Sequence, residues 1–210
     1  MKDEKRNRSE TEKHIRETFL HMLEETPFDK IRITGLCREA GINRSTFYAH
    51  FYDIYDLLDK TIENALTCLD GSLPKDYSFS IGHLWELANI GDLDEFISHE
   101  SEFPIWHRFV DFPKFIPLLK DPFISQRTVR LIFQKRKDLF VELLHGGSLS
   151  DKELEMLFWF ILNGSMSINQ KTGWEKNRTW YKLQKEMMRF IIAGCETVKN
   201  GTKIPLPEGK

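Results

Sequence analysis

Arg44, Ser45 and Thr46 follow Asn43 directly, and Tyr48 and His50 come at the next alternate positions. A guanidinium beside two hydroxyls is a recognition set. The planar fork of arginine matches the paired acceptors on the major-groove edge of guanine, a contact worth roughly 1–3 kcal/mol of discrimination. A serine hydroxyl bonds several base edges, and threonine adds a methyl group that packs on thymine. Tyr48, His50 and, earlier, Thr34 suit phosphate oxygens, which fix register without reading sequence.

Side chains of this kind work only if something holds them at a fixed spacing. The pattern from Ile31 to Phe51 provides it, with two short helices, about 34–40 and 44–50, on either side of Gly41, whose access to positive φ permits a sharp turn. Leu36, Ala40, Ile42, Phe47 and Phe51 close a miniature core, and small Ala40 lets the two helices approach. Asn43 then stands at the N-cap of the second helix, so that Arg44, Ser45 and Thr46 form its first turn, the part of a helix-turn-helix that meets base edges. Upstream, Ser9 and Glu12 have capping-box spacing, and Ile15, Phe19, Met22 and Leu23 form one stripe of a helix ending near Pro27. Downstream, Asp53 caps a helix carrying Leu57, Leu58, Ile62, Leu66 and Leu69 to a stop at Gly71.

The ordered combination Ala40-Gly41-Ile42 followed by Asn43-Arg44-Ser45-Thr46-Phe47-Tyr48-Ala49-His50-Phe51 resembles the DNA-binding signature of the tetracycline-repressor-like (TetR) family of transcription regulators. Asp53, Leu57 and Leu58 resemble the start of that family's fourth helix, and the match covers about residues 9–70. The resemblance implies an all-α protein, with an N-terminal three-helix helix-turn-helix DNA-binding domain followed by a helical ligand-binding and dimerisation domain. It implies a homodimer on a palindromic operator in double-stranded DNA, controlled by a small-molecule effector of unassigned identity. By position, Arg44, Ser45 and Thr46 correspond to base contacts and Thr34, Tyr48 and His50 to backbone contacts, with Asn43 completing the set. The sequence departs from the family at two places. Arg32 replaces the usual capping Thr or Ser, which moves the expected start of the second helix to Thr34, and Ile54 replaces a phosphate-binding Lys for which Lys60 lies far along the helix.

The expected domains are residues 1–52 for the arm and reader, 53–200 for effector binding and dimerisation, and 201–210 for a flexible tail. Between Tyr77 and Phe123 ten aromatics lie among prolines at 104, 113, 117 and 122, which predicts short, broken helices because proline lacks the amide proton. Trp85, Phe96, Phe103, Trp106 and Phe109 are candidates to line an effector pocket, although the same rings equally suit a core. Better helices are predicted from about Pro122 to Leu144, from Ser150-x-x-Glu153 to about Gln170, and over 178–199. In the last of these, Trp180, Leu183, Met187, Phe190, Ile191 and Gly194 fall on one stripe. Phe158, Ile161, Met187, Phe190 and Ile191 are the candidate dimer residues, since these two helices carry more apolar faces than one neighbour can cover.

Composition excludes other classes. A formal net charge of -2 is unlike proteins that coat nucleic acid indiscriminately, although residues 1–50, with ten basic and nine acidic side chains, permit a local reader. Cys37, Cys68 and Cys195 are odd in number and widely spaced, which suggests a reducing compartment; with no apolar h-region and no long apolar run, a cytoplasmic location without membrane attachment is expected. His83, His99 and His107 have spacings that match no recurring metal site, and neither a metal nor another cofactor is implied. No GxSxG, GxGxxG, P-loop or HExxH arrangement occurs, so no enzyme is indicated. The alternative reading is a relative of the same fold that acts through protein contacts rather than a DNA site of its own.

Overall fold

The computed structural model describes residues 2–72 and 80–201, and the regular structure among them is helical. The all-α class is therefore as expected. The α-helices are α1 (Lys2–Glu25), α2 (Ile33–Glu39), α3 (Arg44–Tyr48), α4 (Ile54–Gly71), α5 (Ile81–Asn89), α6 (Leu93–Ser98), α7 (Pro117–Lys120), α8 (Ser125–Leu144), α9 (Asp151–Lys171) and α10 (Arg178–Asn200), with short 3-10 turns between some of them. Tyr77, Phe79 and the tail from Thr202 to Lys210 lie outside the described residues, as does the side chain of Trp106. Among the described residues, no helix is long and apolar enough to cross a membrane.

The chain divides into two compact units. One comprises residues 1–71 with 111–131, the other 72–110 with 132–210.

In the first unit, Ile15, Phe19 and Leu23 bury the stripe of α1, while Met22 is half-buried. The helix begins at Lys2 rather than at Ser9, because charged residues one turn apart, such as Arg6 and Glu10 at 3.1 Å, pair along its surface and carry it past the capping signal. Phe28 sits edge-on to Phe19 and Tyr55 and stacks on Phe123 at 5.8 Å, and its backbone N–H donates to the Asp121 carboxylate at 2.8 Å. That carboxylate also accepts from the N–H groups of Phe123 and Ile124, so the chain turns before α8 begins at Ser125, three residues after the expected start. Asp53 caps α4 as expected, accepting from the N–H groups of Tyr55 and Asp56 at 2.8 Å each.

The described part of the aromatic stretch forms the predicted short pieces, those up to residue 110 in the second unit and the rest in the first. Phe96 and Phe103 stack at 4.6 Å and pack with Leu84, Leu87, Met188 and Ile192, so they fill the core. The Glu153 carboxylate accepts from the Ser150 N–H and hydroxyl at 2.8 and 2.6 Å, which starts α9 at the predicted place. Gly147 is required by a close approach: a Cβ there would lie 2.9 Å from the Lys199 Cα and 3.0 Å from the Val198 carbonyl oxygen, both backbone atoms of α10.

Candidate nucleic-acid interface

The candidate reader is α2, the turn and α3. Leu36, Ala40, Phe47 and Phe51 are buried and Ile42 is half-buried, so the miniature core forms with Ile42 at its edge. Gly41 adopts φ 64°, which a residue with a Cβ reaches only under strain, and it joins the two helices through the Ile42 N–H bond to the Cys37 carbonyl at 2.9 Å. Helix α2 begins at Ile33 behind Arg32, which makes no side-chain cap, so it starts one residue before the expected Thr34.

Asn43 organises the first turn of α3. Its Oδ1 accepts from the Thr46 N–H at 2.7 Å, the Thr46 hydroxyl at 2.9 Å and the Ser45 hydroxyl at 2.5 Å. Arg44 and Ser45 are exposed and Thr46 is half-buried; the guanidinium of Arg44 lies 6.0 Å from the centre of the Tyr48 ring, within cation–π range. Tyr48 and Thr34 are exposed, and His50 is half-buried against Phe51. Arg44, Ser45, Thr46 and Tyr48 are thus carried on one helix, α3, whose Phe47 is buried in the miniature core.

Helix α1 is tied to the C-terminal ends of both α2 and α3. His14 Nε2 donates to the Ala40 carbonyl at 3.0 Å, and Arg8 Nη2 donates to the Ala49 carbonyl at 3.2 Å. Lys60 of α4 donates to the His50 carbonyl at 3.1 Å and to the Asp56 carboxylate at 3.0 Å. Arg8 and Tyr52, the latter 84% exposed, are missed by the sequence reading. Tyr52 carries a legible signal, a large ring directly after core Phe51 in a polar turn. Arg8 carries none, since its partner is 41 residues away.

The second unit presents a different surface. An apolar groove of about 590 Å³ runs along α9 and α10, lined by Leu157, Phe160, Ile161, Gly164 and Ile168 from α9 and by Met187, Phe190, Ile191, Gly194 and Val198 from α10. Phe160 and Phe190 stand at it 64% and 74% exposed. Four of the five candidate dimer residues line it: Ile161, Met187, Phe190 and Ile191. Phe158 does not. It is buried within the subunit, stacked on Phe140 at 4.8 Å and Phe133 at 5.7 Å, because the 3.6-residue turn of α9 points it inward with Leu154 and Leu162. Trp180 likewise leaves its expected stripe and joins Gln184, Met188, Ile192 and Cys195 on the buried face of α10.

The candidate effector-pocket residues fare differently again. Phe96, Phe103 and Phe109 are core residues, and Trp85 is about half exposed. What the aromatics leave inside the unit is a polar chain: His107 Nδ1 donates to Gln184 Oε1, while Gln184 Nε2 and Trp180 Nε1 donate to Asn169 Oδ1 at 3.2 and 2.8 Å. Burial pushes the His107 imidazole down to about 4, so it is neutral near pH 7. His83 and His99 are elsewhere, both against Glu102 at 3.1 and 2.9 Å. Among the described residues, no group of three or more His, Cys, Asp or Glu side chains is arranged to hold a metal ion.

No protein-family model matches the chain, and no curated protein matches it in sequence. Its structure is similar to that of the fatty acid degradation regulator FadR from Bacillus halodurans, over 88% of this chain and 95% of that one, with a TM-score of 0.53 at 13% identity. The fold is TetR-like. The TetR family repressor AlkX from Dietzia sp. Strain DQ12-45-1b also aligns, over 89% of this chain and 96% of that one, but with a TM-score of 0.37 at 12% identity the overlay is too loose to add to this.

Proposed function

We propose that this protein is a sequence-specific DNA-binding transcription regulator of the TetR family, acting in the cytoplasm as a homodimer on a palindromic operator. The observation that carries the reading is the Asn43-capped first turn of α3, which presents Arg44, Ser45 and Thr46 on a helix-turn-helix whose core residues are buried beneath them. In this reading Arg44 donates to guanine, Ser45 and Thr46 meet neighbouring base edges, and Thr34, Tyr48 and His50 hold phosphates. Residues 1–52 do the reading and 53–200 the rest.

Dimerisation uses the groove of α9 and α10. A two-fold contact needs one surface that is complementary to itself, and this one offers two projecting rings, Phe160 and Phe190, beside recesses at Gly164 and Gly194. The dimer then sets two α3 helices in successive major grooves, about 34–36 Å apart. A small molecule in the second unit controls the DNA affinity by binding better to a dimer arrangement whose readers are mis-spaced. The buried chain of His107, Gln184 and Asn169 is the polar feature that would orient such an effector in an apolar interior.

Selection of bound sequences from a random duplex pool tests the reading. The expected outcome is a two-fold symmetric motif. Folded, dimeric protein that enriches no duplex would instead support the alternative of a regulator working through protein contacts.

A further inference from the structure

We propose that Arg8 of α1 is a phosphate anchor of the reader, holding the DNA backbone at the C-terminal end of α3. The inference rests on the DNA-reading function proposed above and adds a residue outside the helix-turn-helix to it.

The described lysine and arginine side chains of α1 fall into two groups. Arg6 pairs with Glu10 at 3.1 Å, Lys13 with Glu17 at 3.8 Å and Arg16 with Glu12 at 3.2 Å. Each of these cations is offset by a carboxylate one turn away on its own helix. Arg8 is the exception: its described partner is a neutral backbone oxygen, the Ala49 carbonyl, on the reader itself. Glu12, one turn along from Arg8, is the carboxylate that Arg16 holds.

The last two carbonyls of the reader each accept from a cation. Ala49 accepts from Arg8 and His50 from Lys60. Carbonyl oxygens at a helix C-terminus attract positive charge, so both contacts are locally favourable. They differ in what is left over. Lys60 is half-buried and also bonded to the Asp56 carboxylate, which offsets its charge. Arg8 is exposed and has spent one of its five N–H donors on a neutral acceptor, so its charge and the rest of its fork remain available at the C-terminal end of α3. A guanidinium in that condition is matched to an anion with several acceptor oxygens, and a phosphate of the duplex held by α3 supplies one. The tie to Ala49, reinforced by the His14 bond to Ala40, fixes α1 to the reader before DNA arrives.

The test compares the unaltered protein with Arg8→Gln and Arg8→Lys on the duplex recovered by selection, titrated by fluorescence anisotropy between about 50 and 200 mM salt. For Arg8→Gln the slope of log affinity against log salt should fall by about one, as expected for a single lost phosphate contact, with several-fold weaker binding at low salt and an unchanged base preference. Arg8→Lys should recover most of the slope. An unchanged slope in Arg8→Gln, or a loss that Arg8→Lys does not recover and that tracks a lowered melting temperature, would reduce Arg8 to a structural tie. Failure of the unaltered protein to select any duplex is a separate result, and it would overturn the reader itself and this anchor with it.

Discussion

The two units of the molecule leave opposite kinds of side chain at their surfaces. In the first, the large exposed rings are mainly tyrosines, Tyr48, Tyr52 and Tyr55, with Phe123, and the purely apolar residues of the reader are inside. In the second, Met156, Phe160, Leu183 and Phe190 are exposed, while His107, Asn169 and Gln184 are buried. A surface of phenols, hydroxyls and guanidinium groups suits a hydrated polyanion, whose contacts are hydrogen bonds and charge. A surface of phenyl and thioether groups along two helices suits another surface of the same kind, with water expelled between them. Under the proposed function these surfaces serve two unlike partners, DNA at one unit and a second copy at the other.

The largest effect is expected where that contrast is reversed. Phe190→Asp places a carboxylate on the groove, and two copies of it in a two-fold contact, so self-association should weaken by at least about a hundredfold, or nearly 3 kcal/mol. Light scattering across a concentration series reads this directly, with helicity unchanged because Phe190 is exposed. A dimer of undiminished stability would move the interface off α9 and α10.

The buried polar chain supplies the next effect. His107 is held near 4, below the ordinary imidazole value of about 6.5, because burial disfavours its charged form. Its contribution to stability is complete above about pH 6.5 and is lost as pH falls toward 4, amounting to roughly 2 kcal/mol at pH 5. Urea unfolding at pH 7 and pH 5 should show this loss, and His107→Gln should remove most of the difference. An equal pH dependence in both proteins would mean that His107 is not the group responsible.

A smaller effect belongs to the reader. Asn43→Ala removes the cap of α3 and should cost about 1 kcal/mol of stability. It also frees the Ser45 and Thr46 hydroxyls from their common acceptor, so the preference at the bases they read should broaden in a repeated selection. An unaltered motif would separate the cap from sequence reading.

The same contrast explains what the sequence made legible. The reader was legible because its determinants are local: Leu36, Ala40, Phe47 and Phe51 lie within sixteen residues, and Gly41 and Asn43 mark a turn and a cap by residue type alone. Helix α9 was not resolved in the same way. Met156, Leu157, Phe158, Phe160 and Ile161 are apolar most of the way round the helix, so periodicity could not decide that Phe158 faces inward and Phe160 outward. The aromatic stretch was ambiguous for a related reason, since a phenyl ring lines a pocket or fills a core by the same chemistry, and Phe96 on Phe103 is the second case. Contacts such as Phe28 with Asp121, 93 residues apart, leave no local mark at all.

The most direct measurement is duplex selection with the unaltered protein and with Arg44→Ala in parallel. The unaltered protein should recover a two-fold symmetric motif containing guanine in each half-site, and Arg44→Ala, folded and dimeric, should lose the preference at that guanine by roughly 1–3 kcal/mol. The same motif recovered with equal strength by both proteins would contradict the assignment of Arg44 and, with it, the reading of α3 as the recognition helix.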